Sequence, residues 1–191
     1  MKETKILTAG DSSLLIQFGQ EISPEINAQI TAFVHLMREQ HLEGVTDVIP
    51  AFTSLLINYD PRVIDYRKLK RRLEKLLKLE VSKKASSSRI FEIPVCYGGE
   101  YGPDLENITI HSSSDYLIYM LGFLPGFSYL GGLDERIHTP RLANPRIRIP
   151  AGSVGIGGSQ TGIYPLDSPG GWQLLGLTPV KTYDPNRDVP I

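Results

Sequence analysis

The chain has 191 residues, is 41% hydrophobic, and carries 20 basic against 21 acidic residues, for a net charge of −1. That length permits one large domain or two small ones with a packed core, and the near-neutral balance excludes a whole-chain pull toward nucleic acid or an anionic membrane. The one cysteine, Cys96, excludes an internal disulfide and a thiolate-ligated metal site.

From the N-terminus, the opening residues lack the apolar core of a signal peptide, and no 18-residue apolar run follows, so the chain reads as soluble and cytoplasmic. Lys5–Thr8 is a short strand candidate and Leu14–Phe18 a stronger one. Ser23-Pro24 signals a helix start, a capping hydroxyl followed by proline at the first helical position. After it Ile26, Ile30, Phe33, Val34 and Met37 recur at helical spacing. Val45–Pro50 and Leu55–Tyr59 read as strands, the second stopped by Asp60-Pro61. A second helix places Tyr66, Leu69, Leu73, Leu76 and Leu77 on one face. Strand, helix, strand, strand, helix suits a small α/β sandwich.

Glu80–Arg89 is Ser- and Lys-rich without periodicity and reads as the linker. The expected division is an N-terminal domain at 1–82, a linker at 83–89 and a second domain at 90–191. Ile90–Tyr97 resumes as a strand, with Pro94 marking an edge or a bulge, and Tyr116–Met120 is a further apolar run. Gly122–Trp172 then holds eleven of the eighteen glycines, six of the fourteen prolines and the one tryptophan. That density excludes long helices. Ile147–Pro150, Ser153–Ile156, Gly162–Tyr164 and Trp172–Gly176 are short strand candidates, and a closed barrel would remove the edges they expose. The fold class is α+β.

Several candidate chemistries can be weighed. The basic residues Arg67, Lys68, Lys70, Arg71, Arg72, Lys75 and Lys78 admit a nucleic-acid reading, but the intervening Leu and Tyr hold helical register, which favours the solvated back of an amphipathic helix. His35, His41, His111 and His138 show no metal-ligand spacing, and His35 and His41 read as surface or helix-end residues. Ala151-Gly152-Ser153-Val154-Gly155 only superficially resembles a nucleophile elbow. Cys96, among apolar neighbours, reads as a small buried hydrophobe. Gly155–Gly162 is glycine-rich and flanked by hydroxyls, which fits either an anion-binding nest or a plain hairpin; it lacks the Gly-Lys-Ser/Thr ending of a P-loop. Arg141 and Arg146, each after a proline, supply guanidinium groups suited to carboxylate or phosphate, with Arg148 two residues on. With Gln160, Thr161 and Tyr164 they form a candidate anion pocket.

The ordered run Gly122–Leu130, Pro140-Arg141, Pro145-Arg146, Pro150–Gly155, Gln160–Pro165 and Ser168–Trp172 resembles the allophanate hydrolase subunit 1 family, which includes the Kip kinase inhibitor and the B subunit of prokaryotic 5-oxoprolinase. Gly10-Asp11 and Asp60-Pro61 extend the likeness more loosely over the N-terminal half. The resemblance implies a small N-terminal α/β sandwich followed by a C-terminal cyclophilin-like β-barrel, without implying prolyl isomerase activity. It departs from the family in two places. Pro103–Asn107 runs almost directly into Ile108–His111, where members carry a longer helical stretch, and members continue beyond the position of Ile191 with a closing strand. Missing residues are the expected reason for both.

What the resemblance implies for function is an enzyme subunit, the B subunit of an ATP-dependent 5-oxoprolinase, which works with separate C and A subunits and is inactive alone. Arg141, Arg146, Gln160 and Tyr164 would be the catalytic set: the arginines as anion clamps, Gln160 and Tyr164 orienting substrate. Phe123, Pro125, Ser153, Gly158 and Thr161 would bind substrate. ATP would bring its own Mg²⁺, no metal being held by the protein itself. The alternative is an inhibitor of a sensor histidine kinase, docking through Phe123, Phe127, Tyr129 and Trp172. Neither reading calls for nucleic acid or membrane.

Overall fold

A computed structural model describes residues 4–79, 89–104 and 108–186. The linker read at 83–89 lies outside these residues except for Arg89, as do 105–107 within the first departure and the chain end at Ile191. Two compact units are present, Met1–Ser88 and Arg89–Ile191.

In the first unit, strands β1 (Lys5–Thr8), β2 (Ser13–Gln17), β3 (Val45–Pro50) and β4 (Ser54–Tyr59) form an antiparallel sheet in the order β1-β2-β4-β3. Helix α1 (Pro24–Gln40) begins where the sequence signals it: Ser23 Oγ accepts the Ile26 N–H at 3.2 Å, and Pro24 occupies the first turn. It ends at His41, which adopts a left-handed φ of 41°. Helix α2 (Tyr66–Lys78) is capped by Asp65 Oδ1, which accepts the Lys68 N–H at 2.9 Å. Ile30, Phe33, Val34 and Met37 of α1 and Leu69, Leu73 and Leu76 of α2 pack on Leu14, Ile16, Leu55 and Ile57 of the sheet. Each such side chain contributes about 2 kcal/mol by leaving water. The basic residues of α2 lie off this buried face, as the amphipathic reading requires, and His35 and His41 are exposed.

The second unit is mostly sheet. Strands β5 (Cys96–Tyr97), β6 (Leu117–Leu121), β7 (Ser128–Gly131), β9 (Ser153–Gly157), β10 (Gln160–Ile163) and β12 (Gln173–Leu177) form one antiparallel sheet in the order β5-β12-β9-β10-β7-β6. Strands β8 (Arg146–Ile149) and β11 (Ser168–Gly170) pair separately, and a short helix, α3 (Ile108–Ser112), precedes β6. The arrangement is α+β. Among the described residues no ladder joins β5 to β6, so pairing leaves the large sheet with two edges rather than the closed ring expected.

Two local expectations are corrected. Of Ile90–Tyr97 only Cys96 and Tyr97 enter the sheet, because β5 pairs with β12 through those two residues alone. Cys96 is exposed rather than buried, as befits a side chain on a two-residue edge strand.

The central strands are buried on both faces. Along β9 and β10 alternate residues separate: Ile156 joins Leu133, Ile137 and Leu175 on one face, while Gly155, Gly157 and Gly162 turn toward Trp172 on the other. On that second face Phe127, Ile149, Tyr164, Trp172 and Leu174 form a cluster of their own.

Candidate functional site

The glycine-rich stretch takes the hairpin alternative. Gly157 pairs with Gln160, so Gly158 and Ser159 form a two-residue turn, with Gly158 at a φ of +68° in the first central position. The Gly158 N–H donates to Thr139 O at 2.8 Å, and the Thr139 N–H returns a bond to Gly158 O at 3.2 Å. These glycines make room for a ring: a methyl at Gly157 would run into the Trp172 indole nitrogen, and one at Gly162 would sit 3.1 Å from Trp172 Cζ3 and 3.2 Å from Phe127 Cε1. The signal that resembles a phosphate cradle is the imprint of an indole.

Around Trp172 the aromatic rings meet edge to face. Phe127 lies 5.5 Å from Trp172 and 5.1 Å from Tyr164, with interplanar angles of 81° and 87°. Phe123 meets Phe127 edge-on at 5.6 Å. Phe123 itself is 62% exposed and holds a φ of 66°, an uncommon state for a bulky residue. Tyr164 is buried, and burial raises its phenol, while the Trp172 backbone and the Arg141 and Arg146 charges pull the other way. Its hydroxyl stays protonated near neutral pH.

The arginines differ from one another. Arg146 Nη2 is ion-paired with Asp104 Oδ1 at 2.5 Å and its Nη1 donates to Trp172 O at 3.3 Å; Asp104 Oδ2 accepts the Leu174 N–H at 2.6 Å. Arg148 pairs with Asp167 at 2.6 Å, and Asp167 also accepts the Ala151 N–H. Arg141 is exposed, its guanidinium 5.9 Å from the Trp172 ring. Among the described residues it has no carboxylate partner in its ion pairs or hydrogen bonds.

The structure therefore brings Arg141, Arg146 and Tyr164 together around Trp172, with Phe123 one ring further out against Phe127. Strand alternation places Ser153 and Gln160 on the same face as Gly155 and Gly162. Three expected residues lie elsewhere. Gly158 is at the hairpin tip. Pro125 lines a separate, largely apolar groove of about 480 Å³ with Ile118, Leu121 and Val180. Thr161 faces the opposite side, where its hydroxyl donates to Gly155 O at 3.0 Å.

Thr161 belongs to a buried network that sequence reading missed. His111 Nε2 lies 2.8 Å from Thr161 Oγ1, and His111 Nδ1 lies 2.8 Å from the Tyr97 hydroxyl. Since the Thr161 proton goes to Gly155, Nε2 is the donor toward Oγ1 and Nδ1 accepts from Tyr97. The imidazole is neutral: burial lowers it from 6.5 to about 4. Tyr116 donates to His111 O at 2.6 Å, and burial first, then the Tyr97 and Asp134 charges, push its phenol up to about 12. Asp104 was missed as well, because a partner 42 residues away leaves no local mark.

Residues 4–191 match the model of a family described as carboxyltransferase domain, subdomain C and D. The chain belongs to that family. Within it, the chain is 44% identical over 203 residues to the 5-oxoprolinase B subunit of Bacillus subtilis (strain 168), covering 95% of this chain and 85% of that one. It is 38% identical over 207 residues to the 5-oxoprolinase B subunit of Escherichia coli O157:H7, covering 100% of this chain and 92% of that one. The solved structure of TTHA0988 superposes with a TM-score of 0.81 at 37% identity, covering 93% of this chain but only 37% of that longer one. The resemblance read from the ordered motif run is borne out by these relatives.

Chemically, the surface beside Trp172 in this carboxyltransferase-domain protein exposes one guanidinium with no carboxylate partner among the described residues, while the Phe127, Tyr164 and Trp172 rings beneath it are buried. It does not fit a nucleotide triphosphate, which needs several cations or open backbone donors: two of the three neighbouring arginines are neutralised by Asp104 and Asp167, and the hairpin donor at Gly158 is occupied by Thr139. Nor do the docking anchors stand out as a surface, since Phe127 and Trp172 are buried at 1% and 4% exposure. Among the described residues no helix is long and apolar enough to cross a membrane.

Proposed function

We propose that this chain is the B subunit of an ATP-dependent 5-oxoprolinase, a cytoplasmic enzyme in which it acts with C and A subunits to open 5-oxoproline to glutamate. The observation that carries the reading is the 38–44% identity, over 95–100% of the chain, to two 5-oxoprolinase B subunits. In the overall reaction the lactam C–N bond breaks, and water supplies the hydroxyl to the carbonyl carbon and a proton to the nitrogen. ATP with Mg²⁺ drives this opening in the assembled enzyme, and the chain alone is inactive.

Within that assembly the Trp172 face is the substrate side of this chain. Arg141 supplies positive charge, Phe123 offers an exposed ring face, and Tyr164 and Gln160 orient the bound molecule. Arg146, joined to Asp104, holds the wall beside Trp172 in place. The second unit belongs to the cyclophilin-like barrels in this reading.

The test is reconstitution. Purified chain combined with the C and A subunits consumes 5-oxoproline and forms glutamate only when ATP and Mg²⁺ are supplied, and omitting this chain abolishes turnover. A complete mixture that leaves the lactam intact overturns the reading.

A further inference from the structure

Strand β1 is an edge of the first unit's sheet, with β2 as its one ladder neighbour among the described residues. The Ala9 N–H donates to Ser13 O at 3.0 Å, and the register sets Leu7 opposite Leu15 and Lys5 opposite Gln17. Bonded pairs recur at every second residue of an antiparallel ladder. Lys5 and Leu7 therefore direct their backbone groups to β2, and the N–H and C=O of Ile6 and Thr8 face outward. Such an edge is a template for a further strand.

Beside it, between β1 and α2, lies a groove of about 660 Å³ lined by Lys5, Leu7, Lys70, Glu74, Leu77 and Lys78. Its charge is one-sided. Glu74 lies 3.9 Å from Lys70, whereas Lys5 and Lys78 have no carboxylate partner among the described residues.

The sheet adds a second requirement. Leu14, Ile16, Leu55 and Ile57 pack under the helices, so strand alternation turns their neighbours to the other face. There Leu7, Leu15, Leu56 and Ile49 stand side by side in register, one from each strand. Leu7 and Ile49, at the two ends of the row, are 43% and 39% exposed.

A strand added to β1 would place alternate side chains in these two environments. On the helix side they meet Lys70 and Lys78; on the other they continue the aliphatic row beyond Leu7. The segment that fits is extended, with acidic and aliphatic residues in alternation. A second copy of this chain fits poorly, since pairing β1 with itself would set Lys5, Lys70 and Lys78 against their own counterparts.

We propose that the β1 edge is a docking site for an acidic–aliphatic strand of a partner protein, taken by β-strand addition. Backbone bonds to Ile6 and Thr8 hold the strand, and the lysines select its charge. The site belongs to the first unit and stands independently of the 5-oxoprolinase reading.

The probe is the peptide acetyl-Val-Glu-Val-Glu-Val-Glu-amide, titrated into the full isotope-labelled chain and followed by amide NMR. The same peptide with lysine for glutamate, and single-stranded oligothymidine, are the comparisons. The acidic peptide binds saturably, shifts the β1 amides and slows hydrogen exchange at Ile6 and Thr8; the other two do neither. Thr8→Pro removes one outward N–H and no bond to β2, and it weakens binding by about tenfold or more. Thr8→Val keeps the N–H and binds as wild type does. Lys5→Glu combined with Lys78→Glu, at two exposed positions, weakens the acidic peptide by about tenfold or more and admits the lysine peptide. Thermal unfolding checks that each variant is folded, and the wild-type exchange result stands whether or not a variant folds.

No saturable binding of the acidic peptide at millimolar concentration overturns the proposal. Equal binding of the lysine peptide overturns it, as does binding that Thr8→Pro and the double charge reversal both leave unchanged. Preferential binding of oligothymidine, with the largest shifts at Arg67, Arg71 and Lys75, would make α2 a phosphate surface and overturns it too. A dimer in sedimentation that Thr8→Pro dissolves would give the edge to a second copy instead.

Discussion

Asp104 holds Arg146 with one carboxylate oxygen and the backbone of Leu174 with the other, joining the loop before α3 to strands β8 and β12. The Arg146 and Asp104 side chains are 29% and 13% exposed, so the pair is partly withdrawn from water. Removing one partner would leave a half-buried guanidinium uncompensated and the Leu174 N–H with a weaker acceptor.

Asp104→Asn therefore costs about 2 kcal/mol, read from urea unfolding at neutral pH. Asp167→Asn, in a pair whose side chains are 76% and 46% exposed, changes stability little by comparison. Equal effects of the two substitutions would show that Asp104 has no special structural role.

His111 predicts a pH dependence. Its folded value of about 4 lies below the ordinary 6.5, so between those limits the unfolded chain binds a proton that the folded chain refuses. Stability at this site is therefore full above pH 6.5 and falls as the pH drops toward 4, by something on the order of 3 kcal/mol. Unfolding midpoints for wild type and His111→Gln, compared at pH 7, 5.5 and 4.5, converge as the pH falls. A difference that stays constant would mean the imidazole titrates at its ordinary value.

Two neighbouring glycines should respond differently to the same methyl group. Gly158→Ala meets open space and costs about 1 kcal/mol through its positive φ. Gly157→Ala costs about 2–3 kcal/mol because the added carbon displaces the indole, and it shifts Trp172 emission, which Gly158→Ala does not. A Gly157→Ala protein with wild-type emission and stability would refute the packing role.

What the sequence reveals and what it hides follow from how local each signal is. Helix α1 was legible because Ser23, Pro24 and the apolar row from Ile26 to Met37 all act within a few residues. The strands of the first unit were legible for the same reason. Strand β7 was not, since Ser128–Gly131 is four residues of mixed size with no period to read. The apolar run before Cys96 misled, because among the described residues it finds no neighbouring strand to pair with, and only tertiary contacts decide that. At the site, the Arg141, Arg146 and Tyr164 grouping could be read from their chemistry, whereas the sorting of the two arginines could not. It depends on Asp104, which is distant in sequence, and on a loop tied to Gly171 and Gln173. His111 has no metal-ligand spacing to mark it, and its partners Tyr97 and Thr161 lie 14 and 50 residues away.

The glycines beneath Trp172 mean that the protein carries a bound aromatic as part of its own chain. In host–guest terms the β9–β10 hairpin is the host, and residue 172 is a guest that never dissociates. Cutting the tether with Trp172→Gly would leave a slot shaped for a flat bicycle, and free indole in solution would be the natural molecule to refill it and restore the fold. A stretch whose glycines admit an anion nest thus stores the outline of a side chain.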